Sequence, residues 1–381
     1  MAFAPSYLRK FGSRMLDSQR KALWLIERCR TEELGGHVLD CDGCLVQAYA
    51  FHSCRHRSCP KCLRDKVDTW FEARRLELLP VPYFHVVFSV PKELNKIVRR
   101  HAKELYPELM RAAEQTLVEV GSAPENLGGT PAVLATLHTW SNSLAYHLHV
   151  HCLVPAGAVD AEGKWHAAKN SQLAPETDLA NVFRSKLRAL LTDAVEGLDL
   201  PEKAFIPQWK VHVEQPQHGA EAVLRYLGRS LYRGPLPDYR IVAVTQEKVV
   251  FQYRAGDQGT LRTMELDGHE FIRRFLQHVW PDRVHKVRYA GLWSRKCKVQ
   301  LQAIRQQLLA STPVASPEAL NPTAMAPIAT LPTEPKVPQW LQCPHCKGQR
   351  TIQSRFARGE KLPPLRPRPA LATSPSTAGP P

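Results

Sequence analysis

Tyr146-His147-Leu148-His149-Val150-His151-Cys152-Leu153-Val154 alternates with a period of two. Successive side chains of a strand point to opposite faces, so His147, His149 and His151 share one face while Tyr146, Leu148, Val150 and Cys152 share the other. The apolar face seats the strand in a sheet. Two imidazoles two residues apart can chelate one divalent cation and leave coordination positions open for a phosphate and water. The plainer alternatives are a solvated, His-rich edge strand or a structural zinc site.

Working outward, Tyr83 to Val90 is β-branched and aromatic and is stopped by Pro91, the profile of a strand. Val133 to Trp140 and Trp209 to Val213 read as further strands, with helical patterns at Leu94 to Val120 and Thr177 to Glu196. Arg240 to Val244 and Lys248 to Tyr253 are joined by a tight turn and predict an antiparallel hairpin, and Phe271 to Trp280 and Trp293 to Leu309 look helical. The irregular alternation and the hairpin favour an α+β architecture, a central antiparallel sheet with helices on its faces, over a doubly wound parallel one.

The stretch 221–233 predicts a helix with Leu224, Leu227 and Leu231 buried, ended by Gly234-Pro235. Arg225, Arg229 and Arg233 recur every four residues and predict a guanidinium stripe beside Tyr226, suited to DNA phosphates. A phenol that attacks a phosphodiester needs a metal to polarise a non-bridging oxygen and cations to offset developing charge, and both are at hand. Tyr226 as an ordinary surface residue is the bland alternative. Tyr232 competes on the same helix, but it lies close to the helix stop.

Toward the N-terminus, Ser18 to Arg30 predicts an amphipathic packing helix. Beyond it, Cys41-Asp42-Gly43-Cys44 is followed by Cys54 and by Cys59-Pro60-Lys61-Cys62. Two Cys-x-x-Cys knuckles present four thiolates that can converge on zinc, which selects Cys41, Cys44, Cys59 and Cys62 and leaves Cys54, His52 and His56 as substitutes or ligands of a second ion. Arg55, His56, Arg57, Lys61 and Arg64 make this module basic, as a DNA-docking element or simply as the solvated face of a folding staple. Cys343 and Cys346, with His345 between them, are half a zinc site and stay unassigned.

These pieces give a layout of helix plus zinc module at 1–75, a catalytic domain at 80–310, a Pro/Ala/Thr-rich linker at 311–338, and a Cys-x-x-Cys segment with a disordered, Pro-rich basic tail at 339–381. The 51 Lys and Arg against 36 Asp and Glu leave a formal charge of +15, which points to a nucleic-acid partner. No apolar run is long enough to span a bilayer, and the first residues lack the pattern of a secretory signal, so the expectation is a soluble, cytoplasmic chain with no membrane partner. Ten cysteines in a reducing compartment read as metal ligands rather than disulfides.

The run from Cys41 to Cys62, especially His52 to Cys62, with Tyr83 to Pro91, Leu137-His138-Thr139-Trp140, His147 to Val154 and Tyr226-Leu227-Gly228-Arg229, in that order over about residues 7 to 300, resembles the rolling-circle insertion-sequence transposases of the HUH endonuclease superfamily. The resemblance implies an N-terminal zinc-binding domain and a tyrosine transposase domain that nicks and joins single-stranded DNA at insertion-sequence ends through a covalent 5′-phosphotyrosine intermediate. It implies Mg²⁺ or Mn²⁺ at His149 and His151, with Tyr226 as nucleophile. Many members carry a second tyrosine four residues on; here that residue is Ser230, which leaves a single-tyrosine variant, the use of a second subunit or a degenerate copy as the readings. The third metal ligand stays open among His85, His138, Glu214 and Glu221. A non-catalytic zinc-containing DNA-binding protein or a decayed transposase is the alternative, and a relaxase or replication initiator shares the chemistry but not the zinc module.

Overall fold

The computed structural model describes residues 3–169, 172–217, 220–255, 259–311 and 339–366. The linker reading of 312–338 and the tail 367–381 lie outside the described residues, as do the side chains of Arg64, Ser230 and Arg233. In chain order the helices and strands are α1 (Ala4–Phe11), α2 (Asp17–Glu27), β1 (Gly36–Cys41), β2 (Gln47–Phe51), α3 (Arg64–Arg75), β3 (Tyr83–Ser89), α4 (Asn95–Arg100), α5 (Ala102–Ser122), β4 (Ala132–Trp140), β5 (Tyr146–Pro155), β6 (Gly157–Val159) and β7 (Trp165–Ala167). Then come α6 (Glu176–Ala194), β8 (Val211–Gln217), α7 (Ala220–Arg233), β9 (Ile241–Val244), β10 (Lys248–Ala255), β11 (Thr260–Asp267), α8 (Gly268–Leu276), β12 (Val287–Gly291), α9 (Lys298–Ser311) and β13 (Arg350–Phe356).

The described chain divides into two compact units, one of residues 3–23 and 55–311 and the other of 24–54 and 339–366. This boundary differs from the sequence layout, because the second unit joins the early cysteine segment to the segment at 339–366 rather than to residues 55–75. Among the described residues no helix is long and apolar enough to cross a membrane.

The first unit is α+β, as the sequence predicts. Its central sheet has the order β12-β4-β5-β3-β8, with every neighbouring pair antiparallel. The period-two pattern gives this sheet two different faces. Phe84, Val86 and Phe88 of β3, Val133, Ala135 and Leu137 of β4, and Leu148, Val150 and Cys152 of β5 pack on α5 and α6, where Leu105, Leu109, Leu117, Phe183 and Leu187 are fully buried. At about 1.5 to 3 kcal/mol for each large apolar side chain taken from water, this face is what holds the strands. On the other face, Tyr83, Leu134 and Leu153 meet Phe71 of α3, Leu224 and Leu227 of α7, and Ile304 of α9. Beyond Leu134 and Leu153 that second face turns polar, with Thr136, His138, His149 and His151 following in register.

Several elements depart from the sequence reading. The single helix expected over 94–120 breaks at His101, whose φ of −109° and ψ of 37° are not helical. The strand expected from Trp209 begins at Val211, because Trp209 turns into the core against Phe183 and Phe205 and donates its indole N–H to Ala204 O at 2.8 Å. The β9–β10 hairpin gains β11 and forms a separate three-stranded sheet. β12, too short and polar to register as a strand, is an edge of the central sheet.

In the second unit, β13 pairs antiparallel with β1, and β1 with β2. Phe356 of β13 is buried, edge-on to Tyr49 and Phe51. The Pro-rich stretch after β13 does not leave this unit at once. Tyr49 Oη donates to Pro363 O at 2.5 Å, and Arg366 pairs with Asp40. The described residues of the segment expected to be disordered therefore carry a strand and its anchors.

Candidate metal and nucleophile site

The polar end of the sheet's second face collects the histidines. Antiparallel register sets His138 opposite His149 and Thr136 opposite His151 on β4 and β5, and on the other side of β5 it sets Val87 of β3 opposite His151. The ring centroids of His138 and His151 are 4.2 Å apart, those of His138 and His149 5.3 Å, and those of His149 and His151 4.8 Å. One ring nitrogen of each lies within 4.8 Å of the others, the arrangement of a three-imidazole metal site. His138 is the one of the four candidates for third ligand that joins this group. His147, which shares their face at the strand's start, is exposed, and its carbonyl accepts from His149 Nδ1 at 3.2 Å.

Hydrogen bonds orient the rings. His85 Nδ1 is 3.0 Å from Glu214 Oε2, and His85 Nε2 is 2.9 Å from His151 Nδ1. With His85 Nδ1–H donating to the Glu214 carboxylate, His85 Nε2 accepts from His151 Nδ1, and the lone pair of His151 falls on Nε2. That Nε2 is buried and has no hydrogen-bond partner among the described residues. A buried polar atom left unmatched is costly, and a cation would satisfy it. Burial first, then the crowding of the neighbouring histidines and, for His138, Lys286, lowers His138 and His151 well below the ordinary histidine value, and burial brings His149 to about 4. All three are neutral at pH 7, the form that ligates. The residues present thus fit a divalent cation.

α7 lies over this site, anchored by Leu224, Leu227 and Leu231, each at most 5% exposed. Gly228 permits its close approach to α3, since a Cβ there would come within 3.0 Å of the Trp70 ring. Anchored so, α7 sets the Tyr226 ring edge-on to His151 and His138, at centroid separations of 5.6 and 5.9 Å. Tyr226 remains 47% exposed and is open to a ligand. Burial, then the charge of Glu214, raises its phenol above the ordinary value, so it is protonated at neutral pH. Tyr232 lies half-buried elsewhere on α7, near Tyr289 and Arg74.

The guanidinium stripe is not uniform. Arg225 sits 3.9 Å over the Phe71 ring and 4.0 Å from Asp68, committed to packing α7 on α3, whereas Arg229 is exposed. The side chain of Arg233 lies outside the described residues. Arg57, expected on a basic knuckle surface, instead donates to the carbonyls of Val284, Trp280 and Pro281.

The cysteine grouping also changes. Cys41 and Cys44 meet Cys343 and Cys346, the pair the sequence left without partners, so they already belong to a set of four thiols that does not include Cys59 and Cys62. The Cys346 backbone N–H, the largest influence on Cys343, holds that thiol at about 6. Cys59 and Cys62 belong to the first unit, both buried. His52, a possible substitute ligand, turns its ring nitrogens to His37 Nε2 and Leu34 O.

Residues 1–90 match the family model described as "Transposase zinc-binding domain", and residues 132–300 match the one described as "Putative transposase". The chain is 36% identical over 327 residues to "Putative transposase y4qJ" of Sinorhizobium fredii, covering 80% of this chain and 82% of that protein. It is 25% identical over 315 residues to "Transposase for insertion sequence element IS801" of Pseudomonas savastanoi pv. phaseolicola, covering 76% and 74%. A metal-bound conjugative relaxase, TrwC, in complex with oriT DNA aligns over 59% of this chain and 71% of its own, with 15% identity and a TM-score of 0.25, too slight a likeness to carry weight. With both family models matched in order and a 36% identical relative covered over most of its length, the chain belongs to the rolling-circle insertion-sequence transposases of the IS91 and IS801 kind.

Proposed function

We propose that this transposase nicks single-stranded DNA at insertion-sequence ends with Tyr226 as nucleophile, and that His138, His149 and His151 hold the catalytic Mg²⁺ or Mn²⁺. The observation that carries this reading is the exposed Tyr226 ring standing 5.6 Å from the ring of buried His151, whose Nε2 has no hydrogen-bond partner among the described residues. When bound, the cation would polarise a non-bridging oxygen of the scissile phosphate. The chain's own groups do the rest. The Tyr226 oxygen attacks phosphorus as its proton passes to water, an O–P bond forms to the 5′ phosphate, the bond to the 3′ oxygen breaks, and that oxygen takes a proton from water and leaves as a 3′ hydroxyl. The reverse attack by a free 3′ hydroxyl joins strands and releases the tyrosine. Arg229, exposed on α7, supplies a cation for DNA phosphates, joined by Arg233 on the same helix, while Arg225 holds α7 on α3. Cys59 and Cys62 supply thiolates for zinc in the N-terminal module. Because Ser230 stands where many relatives carry a second tyrosine, one chain forms one covalent strand end at a time.

Labelled single-stranded oligonucleotides from the element's own ends, incubated with the purified chain and Mn²⁺ or EDTA, test this on a denaturing gel. The expected result is a protein-linked band that requires the metal. Binding in native gels without any cleavage would favour a DNA-binding or decayed protein.

A further inference from the structure

The second unit contains two knuckles from opposite ends of the chain built on the same backbone plan. Leu45 N donates to Cys41 O at 2.9 Å, and Lys347 N donates to Cys343 O at 3.0 Å. Cys41 N donates to Val46 O at 3.2 Å, and Cys343 N donates to Gly348 O at 2.9 Å. Leu45 and Lys347, each following the second cysteine of its knuckle, adopt left-handed φ values of 57° and 61°. Non-glycine residues rarely adopt that conformation, so its recurrence at equivalent positions marks two copies of one turn.

The strands then bring the two turns face to face. β1 ends on Cys41, opposite Arg350 at the start of β13, and Asp42 N donates to Gln349 O at 3.1 Å. Across the gap, Cys41 Sγ is 3.4 Å from Cys346 Sγ, and Cys44 Sγ is 3.7 Å from Cys343 Sγ. A disulfide needs about 2.05 Å. A tetrahedron with Zn–S bonds of about 2.3 Å has S···S edges of about 3.8 Å. The cysteines therefore stand at the spacing of metal ligands and too far apart for bonded pairs. The two turns fit closely around the sulfurs, since a Cβ on Gly43 or Gly348 would stand 3.1 or 3.2 Å from Cys346 Sγ, closer than most such contacts. Gly348 N also points at that sulfur from 3.4 Å, the contact that supports a thiolate ligand.

We infer that Cys41, Cys44, Cys343 and Cys346 form one tetrathiolate zinc site that clasps the 339–366 segment onto the N-terminal hairpin. The zinc module is then discontinuous in sequence, and its third strand, β13, is delivered from beyond the 312–338 stretch. Each thiol gives up its proton to water as zinc binds, with no oxidation. Four soft sulfur donors suit zinc and exclude Mg²⁺, so this ion is distinct from the one at the histidines.

Zinc content of the full-length chain, measured by mass spectrometry, tests the shared site. Cys343→Ser with Cys346→Ser is expected to lose one zinc equivalent, Cys41→Ser with Cys44→Ser the same one, and all four changes together no more than either pair. Undiminished zinc in the Cys343/Cys346 variant, or losses that add in the fourfold variant, overturns the proposal. To guard against misfolded variants, a protease site placed within 312–338 of the wild-type chain allows the chain to be cut between the two knuckles. The C-terminal fragment should stay bound until a chelator is added and then leave. Release before chelation, or retention unaffected by it, counts against the clasp.

Discussion

His85 Nε2 lies 2.9 Å from His151 Nδ1, and the same imidazole is held from behind by Glu214. The pair fixes which nitrogen of His151 faces the site, because a neutral imidazole carries one N–H and one lone pair, and donating Nδ1–H to His85 leaves the lone pair on Nε2. His85→Ala should therefore lower Mn²⁺ affinity about 10- to 100-fold with the three proposed ligands intact. Calorimetric titration of Mn²⁺ into the variant checks this, and an unchanged affinity would show that His151 needs no such support.

Tyr226→Phe removes one hydroxyl from a half-exposed ring. Covalent attachment to DNA should vanish, while single-strand affinity should hold within about 0.5 kcal/mol, the ordinary range for a change that leaves packing alone. Denaturing gels report the first quantity and fluorescence anisotropy the second. Covalent product that survives the change would move the nucleophile to another residue.

Gly228 permits α7 to approach Trp70, and a larger side chain there must push the helix outward. Gly228→Val should cost about 1 to 3 kcal/mol through overpacking and should also move Tyr226 away from the histidines. Denaturant melts measure the first effect and single-turnover nicking the second. Trp70→Leu in the same chain should restore part of both, because it returns the space.

Lys286 is buried with its Nζ 3.3 Å from Leu231 O in the last turn of α7, and burial, followed by the charge of Arg57, lowers its pKa to about 7. A lysine whose folded value lies below its unfolded value of about 10.4 weakens the fold fully below pH 7 and progressively less as pH rises to 10.4. The wild type should gain stability relative to Lys286→Met between pH 7 and 10, by at most roughly 4 kcal/mol at about 1.4 kcal/mol per pH unit. Paired thermal melts across that range read the difference. A flat difference means the amine keeps its charge in the folded state.

Period-two alternation from Tyr146 to Val154 was enough to put His149 and His151 on one face, since that follows from strand geometry alone. The same local logic placed Leu224, Leu227 and Leu231 inward on α7 and left Tyr226 beside them. Contacts between distant segments obey no such period. His138 becomes the third imidazole only because β4 pairs with β5 in the register that sets it opposite His149. Arg225 leaves the expected stripe because α3 presents Phe71 and Asp68 to it. Cys343 and Cys346 find partners about 300 residues away because β13 pairs with β1. Residue type and spacing along one element decided which groups could do chemistry. Strand register and helix packing decided which of them meet, because those depend on the burial of whole faces rather than on neighbours in the chain.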